Sequence, residues 1–470
     1  GEFVNDLSIN VSGTTATGIV TLHQDISLDD DNGAAADGTA AMFTVTGDGN
    51  IVASNTLTID TEQGADANGG SVDFNNSDVS PDAANFSLTI DTSTGSAAHS
   101  GGNVMLGAVN DSFSTGDFFD TLTIDLDSGI ANPDVSQDGT LSFGRANSTL
   151  SVDGAAASQD TATILISGNI TLPTNSLTID TNASDSALAI SGAIDLRNLS
   201  INGASNLTLT TSGHDGAAAQ SMAAGHVILG DAGTTTRLTT LTVDTRGNSG
   251  GTDGTLFFND NDGVVSTTDI RTTGDVDLSN APIVELQDSV TIDTEAAGDQ
   301  VGTNAGSVLF STSGTIDGTV SGMESLSVDV SEDNSTGDDG NIVLSDTGNL
   351  VPLGSVTLTA DADGTNPGRV TLNDSSNELR DGLDTIAEVH TDGGDVTITG
   401  LLVSTVSVRL MVNAGGITAQ AIDTTGTPIG SAGDVMLVSA GGAISVQSID
   451  SAGDVLLETQ GAADDVIVNG

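Results

Sequence analysis

The tetrapeptide Leu-Thr-Ile-Asp, or a close variant, begins at Leu57, Leu88, Leu122, Leu150, Leu177, Leu241, Val290 and Leu326. Looser copies begin at Leu7, Leu199, Leu207 and Val356. A second element, Gly-x-Val-x-Phe/Leu, alternates with the first. It reads "GSVDF" from Gly70, "GNVML" from Gly102, "GHVIL" from Gly225, "GSVLF" from Gly306 and "GNIVL" from Gly340. Leu57 leads to Val72, Leu88 to Val104, Leu241 to Leu256 and Leu326 to Ile342, an interval that varies by a single residue. A chain that repeats one short pattern at a steady interval stacks one supersecondary unit on the next.

Each element alternates apolar and polar residues with period two, the signature of a short strand with one buried face. No helical period competes, and this load of Gly and β-branched residues suits a helix poorly. The expected fold class is all-β, a parallel β-helix or β-solenoid. Residues 1–390 read as loop-bearing coils of about 30 residues, a period within the range of solenoid repeats. Residues 391–470 read as coils of about 20 residues, at the short end of that range and continuing the same rod. There Val396, Ile417, Val435 and Val455 are expected in one register.

In each Leu-Thr-Ile-Asp copy the Leu and Ile are expected inside and the Thr and Asp outside. Stacking then predicts a ladder of Thr58, Thr89, Thr123, Ser151, Thr178, Thr242, Thr291 and Ser327. Beside it runs Asp60, Asp91, Asp125, Asp153, Asp180, Asp244, Asp293 and Asp329. Unit charges about 4.8 Å apart repel by about 0.9 kcal/mol in water, so something must offset each step. Three answers are open: an Asx turn that gives each carboxylate a backbone N–H, cations shared between successive Asp residues, or plain solvation.

Composition narrows the function. The 470 residues carry a formal charge of −57, with eight Arg, no Lys, no Cys, no Trp and no Tyr. No basic footprint for nucleic acid exists, and an anionic membrane surface repels such a chain. No apolar run approaches the roughly 20 residues needed to span a bilayer. Of the 65 acidic residues 56 are Asp, the acid that favours turns. The opening "GEFVNDL" lacks Met and reads as a processed or cut chain.

The stretches "GGDVTITG", "AGDVMLVSAGGAISV" and "SAGDVLLETQGAADDVIV" resemble the repeats of filamentous haemagglutinin-like adhesins and related giant bacterial surface proteins. The "SLTIDT…GGSVDF" coils resemble loop-bearing variants of the same repeat. The resemblance covers nearly the whole chain and specifies fold better than activity. It implies a right-handed parallel β-helix, export to the cell surface and a role as shaft or adhesive fibre.

Calcium is the ligand best suited to the remaining motifs. "DADGTN" places Asp361, Asp363 and Asn366 around a Gly turn, and "NDNDG" supplies Asp260 and Asp262. Oxygen ligands at alternate positions suit a hard cation, while solvated turns are the plainer account of any one cluster. Catalysis is not expected. His23, His99, His214, His226 and His390 are scattered without metal-ligand spacing, and sugar subsites lack the aromatics they normally use.

The reading is therefore an extracellular structural or adhesive module, a stiff acidic shaft of a bacterial surface fibre. The alternative is a self-assembling filament or surface-layer subunit joined head-to-tail through open β-helix ends, and a glycan-active β-helix enzyme comes third. The expected partners are like subunits, adjoining segments of the same long chain, or a host or biofilm surface.

Overall fold

The computed structural model describes residues 6–469 except 12–17, 29–39, 48, 62–67, 76, 95–98, 111–116, 129–137, 154–161, 182–190, 213–222, 248–250, 260–266, 296–303, 321–322, 332–338, 345, 348–349, 352, 361–368, 373–385, 392–394, 404–406, 413–414, 426–432 and 461–464. The described elements are all β-strands, and the described strands pair in parallel. The chain divides into two compact units. Gly1–Thr236, Asp244–Gly254 and Asp260–Val264 form the first, and Arg237–Val243, Thr255–Asn259 and Val265–Gly470 the second.

In the first unit three columns of strands run side by side. One column stacks Ile26–Ser27, Leu57–Asp60, Ser87–Asp91, Thr121–Asp125 and Thr163–Ile166. The next stacks Asp6–Asn10, Met42–Thr46, Ser71–Asp73, Val104–Leu106 and Thr140–Phe143. The third stacks Asn50–Ala53, Asp78–Pro81, Ala108–Val109, Asn147–Ser151, Ser176–Asp180 and Asn206–Thr210. One strand from each column makes a coil, and each strand meets its counterpart in the next coil, which makes the unit a parallel β-solenoid. Leu57 pairs with Leu88 and Leu88 with Leu122, so the motif returns once per coil here.

The second unit repeats the plan. Ser289–Asp293, Leu326–Asp329, Val356–Thr359 and Val396–Val403 stack in one column. Val308–Phe310, Ile342–Leu344 and Arg369–Leu372 stack in another. Toward its C-terminal end the coils shorten, and Val396, Ile417, Ile444 and Val466 are successive partners. The register differs there from the expected one. Val435 and Val455 pair in a separate column that runs from Ile386–Thr391 through Ser407–Val412, because each short coil contributes two apolar strands of nearly the same sequence.

The inside of each unit is where alternation places it. Leu57, Leu88 and Leu122 are no more than 1% exposed, as are Ile59, Ile90 and Ile124. Each such side chain contributes about 1.5–3 kcal/mol by leaving water. Phe43 and Phe74 meet edge-to-face at 5.3 Å in the core of the first unit. Phe74 and Phe310 are buried as second-element residues, and on the strand Thr255–Phe258 the buried aromatic is Phe258.

The single ladder expected from the motif is broken. Thr58, Thr89 and Thr123 do align, and so do Asp60, Asp91 and Asp125. The copies at Leu150 and Leu177 lie in another column of the same unit, and Leu150 aligns with Ile179 rather than Leu177. Ser148 takes the inward place opposite Leu177, so Ser151 stands beside Asp180 and Asp153 falls beyond the column. In the first unit the motif-to-glycine segment therefore turns one corner at Leu57, Leu88 and Leu122 and another at Leu150, Leu177 and Leu207.

Candidate functional site

The recurring chemistry of the chain sits at these corners. Asp91 Oδ1 accepts the backbone N–H of Ser93 at 3.0 Å and its hydroxyl at 2.6 Å. Asp125, Asp244, Asp293, Asp329 and Asp423 each accept the N–H two residues on, at 2.8 to 3.1 Å. The Asx turn thus gives the repeated carboxylate a fixed donor without any ion. The Asp ends the strand and turns the chain.

The residue after the Asp carries a second function that sequence reasoning missed. Thr92 is fully buried and donates its hydroxyl to the Gly102 carbonyl at 2.9 Å, while the Gly102 N–H donates to the Thr92 carbonyl at 2.9 Å. The same reciprocal pair joins Thr211 to Gly225, Thr245 to Gly254 and Thr294 to Gly306. Thr61 and Thr181 donate likewise to Gly70 and Gly192 at 3.0 Å. Each clasp satisfies two buried backbone groups where the chain leaves and re-enters the coil. The signal was a fifth motif residue, Leu-Thr-Ile-Asp-Thr, paired with the glycine that opens the second element.

That glycine is required by close approach. A Cβ on Gly102 would lie 1.7 Å from the Gly70 carbonyl oxygen, and one on Gly139 would lie 1.8 Å from that of Gly102. Backbone stacks on backbone with no room for a methyl group.

Five arginines offset part of the acidity. Arg197 pairs with Asp195, Arg246 with Asp244 and Arg271 with Asp269, in each case the acid next but one before it. Arg145 reaches back to Asp78 at 2.7 Å, and Arg237 grips Asp293 with both terminal nitrogens. Burial pushes the Asp78 carboxyl above its ordinary range, and Arg145 pulls it partly back. The hydrogen bond to Asp293 raises Arg237 above its own ordinary value.

The expected calcium ligands Asp361, Asp363, Asn366, Asp260 and Asp262 all lie outside the described residues. Among the described residues no group of three or more His, Asp or Glu is placed to hold a metal ion. No described helix is long and apolar enough to cross a membrane. One described concavity is a groove of about 440 Å³ on the outer face of the first unit's second column, with Met42, Asp73, Asn103, Met105 and Ser142 in its lining.

Compared with protein-family profiles, with characterised proteins and with solved structures, the chain matches none.

Proposed function

We propose that the chain is an extracellular structural and adhesive module, an acidic β-solenoid shaft of a bacterial surface fibre. The observation that carries this reading is the use made of the repeated polar residues. Asp91 holds a turn and Thr92 holds a coil junction, so the most frequent polar motif serves architecture and not turnover. The likeness of the C-terminal repeats to haemagglutinin-like adhesins agrees with it. So does the lack of Lys, which together with five ion-paired arginines leaves trypsin little to cut. In this reading calcium, bound outside the described residues, stiffens the chain in a salty exterior.

A second reading is assembly of subunits. Val455, Leu456, Val466, Ile467 and Val468 are 43–48% exposed on the strands Val455–Thr459 and Val466–Val468. Another coil, from this chain's continuation or from a second copy, would cover them.

Electron microscopy with light scattering separates the readings. Thin particles of constant length at all concentrations are expected for a shaft. Particles that lengthen with concentration would favour the filament subunit, and compact round particles would overturn both.

A further inference from the structure

Asp60, Asp91 and Asp125 form one ladder, in register across three successive coils of the first unit. Parallel stacking sets such neighbours about 4.7–4.9 Å apart. All three are half-buried. Asp91 and Asp125 are also fixed, since each Oδ1 accepts the N–H two residues on, at 3.0 and 3.1 Å. The two Asx turns hold both carboxylates the same way round, so neither swings away from the other. Among the described residues no arginine pairs with Asp91 or Asp125. The five ion-paired arginines take Asp78, Asp195, Asp293, Asp244 and Asp269.

The turn does not require this charge, because an Asn accepts the same N–H as well as an Asp. Nor does the coil require it. In the third column the corresponding ladder reads Ser151, Asp180 and Thr210, one carboxylate between two hydroxyls. The second unit stacks Asp293 on Asp329, and there Arg237 grips the first of the two.

We propose that the ladder of Asp60, Asp91 and Asp125 is an ionic-strength switch, which keeps its coils tightly stacked in salt and loosens them in dilute solution. The switch acts on cohesion between coils and holds whether or not the chain adheres to anything. Charges are screened over about 30 Å at about 0.01 M salt and over about 3 Å at about 1 M. Neighbours in the ladder therefore repel in full in the first medium and weakly in the second. Two intercoil bonds lie beside these charges. Thr61 donates its N–H to the Asp91 carbonyl at 3.1 Å, and Thr92 donates its own to the Asp125 carbonyl at 2.8 Å. Repulsion along the ladder opens those two bonds first.

The test is hydrogen exchange and thermal melting of the full chain at about 0.01 M and about 1 M sodium chloride, with chelator present throughout. Exchange at Thr61 and Thr92 should slow by about tenfold in the stronger salt. Thr181 donates in the same way to the Thr210 carbonyl, beside a single carboxylate, and should change little. Asp91→Asn removes the middle charge and keeps the turn. It should raise the low-salt melting temperature and erase the salt response at Thr61 and Thr92. Asp82→Asn makes the same charge change at an exposed carboxylate outside the ladder and should leave that response intact. Equal melting at about 1 M salt verifies that each variant folds. An Asp82→Asn effect as large as that of Asp91→Asn would assign the response to net charge and overturn the switch. Exchange at Thr61 and Thr92 that ignores salt would overturn it too. So would a sodium response that tetramethylammonium chloride fails to reproduce at equal concentration, since that requires a bound ion.

Discussion

Thr92 and Gly102 hold each other twice, hydroxyl to carbonyl and carbonyl to N–H, both at 2.9 Å. A lateral loop separates them in the chain, and both lie in the core of a corner. Thr92→Val keeps the shape and removes the donor. The buried Gly102 carbonyl then loses its side-chain partner, at about 1–2 kcal/mol. Thr92→Ser should recover most of that loss. Urea unfolding of the three proteins checks the order, and a Thr92→Val midpoint equal to wild type would remove the clasp from the account.

Gly102→Ala should be far worse than Thr92→Val. The new methyl group meets the Gly70 carbonyl oxygen at 1.7 Å and the Gly69 carbonyl oxygen at 2.8 Å, and backbone cannot step aside as a side chain can. Overpacking of this kind costs about 1–3 kcal/mol or more, and here it separates two coils. The check is hydrogen exchange around Val72 and Val104. Faster exchange confined to that junction is expected, and a native exchange pattern would contradict it.

Strands and their inward faces were legible in the sequence because alternation has one period and burial follows it, as at Leu88 and Ile90. The Asx turn at Asp91 was one of three answers that the chemistry of Asp at a strand end left open. The corner each motif turns was not. The clasp needs only its own Asp, Thr and Gly, so one sequence serves at Leu57 and at Leu177 although they lie in different columns. Nor was the register at Leu150 legible, since an inward Ser148 leaves no apolar mark. The groove depends on Met42 and Met105, which lie two coils apart in the chain and which no motif joins.

Arg237 and Asp293 form a two-pronged ion pair at 2.9 and 2.7 Å between segments far apart in the chain. Arg237 also donates to the carbonyls of Thr272 and Asp293, so one guanidinium ties several strands of the second unit. The two side chains are only 15% and 23% exposed, which limits screening by salt. Arg237→Leu should cost about 2–3 kcal/mol, since it strands a half-buried carboxylate. Arg271→Leu, at a pair two residues apart whose side chains are 39% and 26% exposed, should cost about 0–1 kcal/mol. Chemical denaturation at low and high salt tests both, and equal losses would undo the distinction.

Asp78 gives the stability a dependence on pH. Its carboxyl is raised above 3.8 mainly by burial, so the folded state holds the proton more tightly than the unfolded chain. Its contribution is fully present below 3.8 and is lost as pH rises through the folded value. At neutral pH the charge is a burden that Arg145 relieves. Arg145→Ala should therefore cost about 1–3 kcal/mol at pH 7 and little at pH 3. In the Asp78→Asn background the Arg145→Ala loss at pH 7 should largely vanish. A loss that is the same at both pH values would contradict the coupling.

Calcium removal tests whether ions hold any part of the chain. The described corners need none, because Asp91, Asp125, Asp293 and Asp329 already take backbone N–H donors. The remaining candidates are Asp361, Asp363 and Asn366, with Asp260 and Asp262, where alternating oxygens suit the all-oxygen shell calcium prefers. Chelator in low salt should lower the melting temperature by several degrees, and calcium should restore it better than magnesium. Asp361→Ala with Asp363→Ala should abolish the calcium response and leave the chelated melting temperature where it was. A melting curve indifferent to chelator would remove calcium from the function, and a response that survives the double substitution would move the site to Asp260 and Asp262.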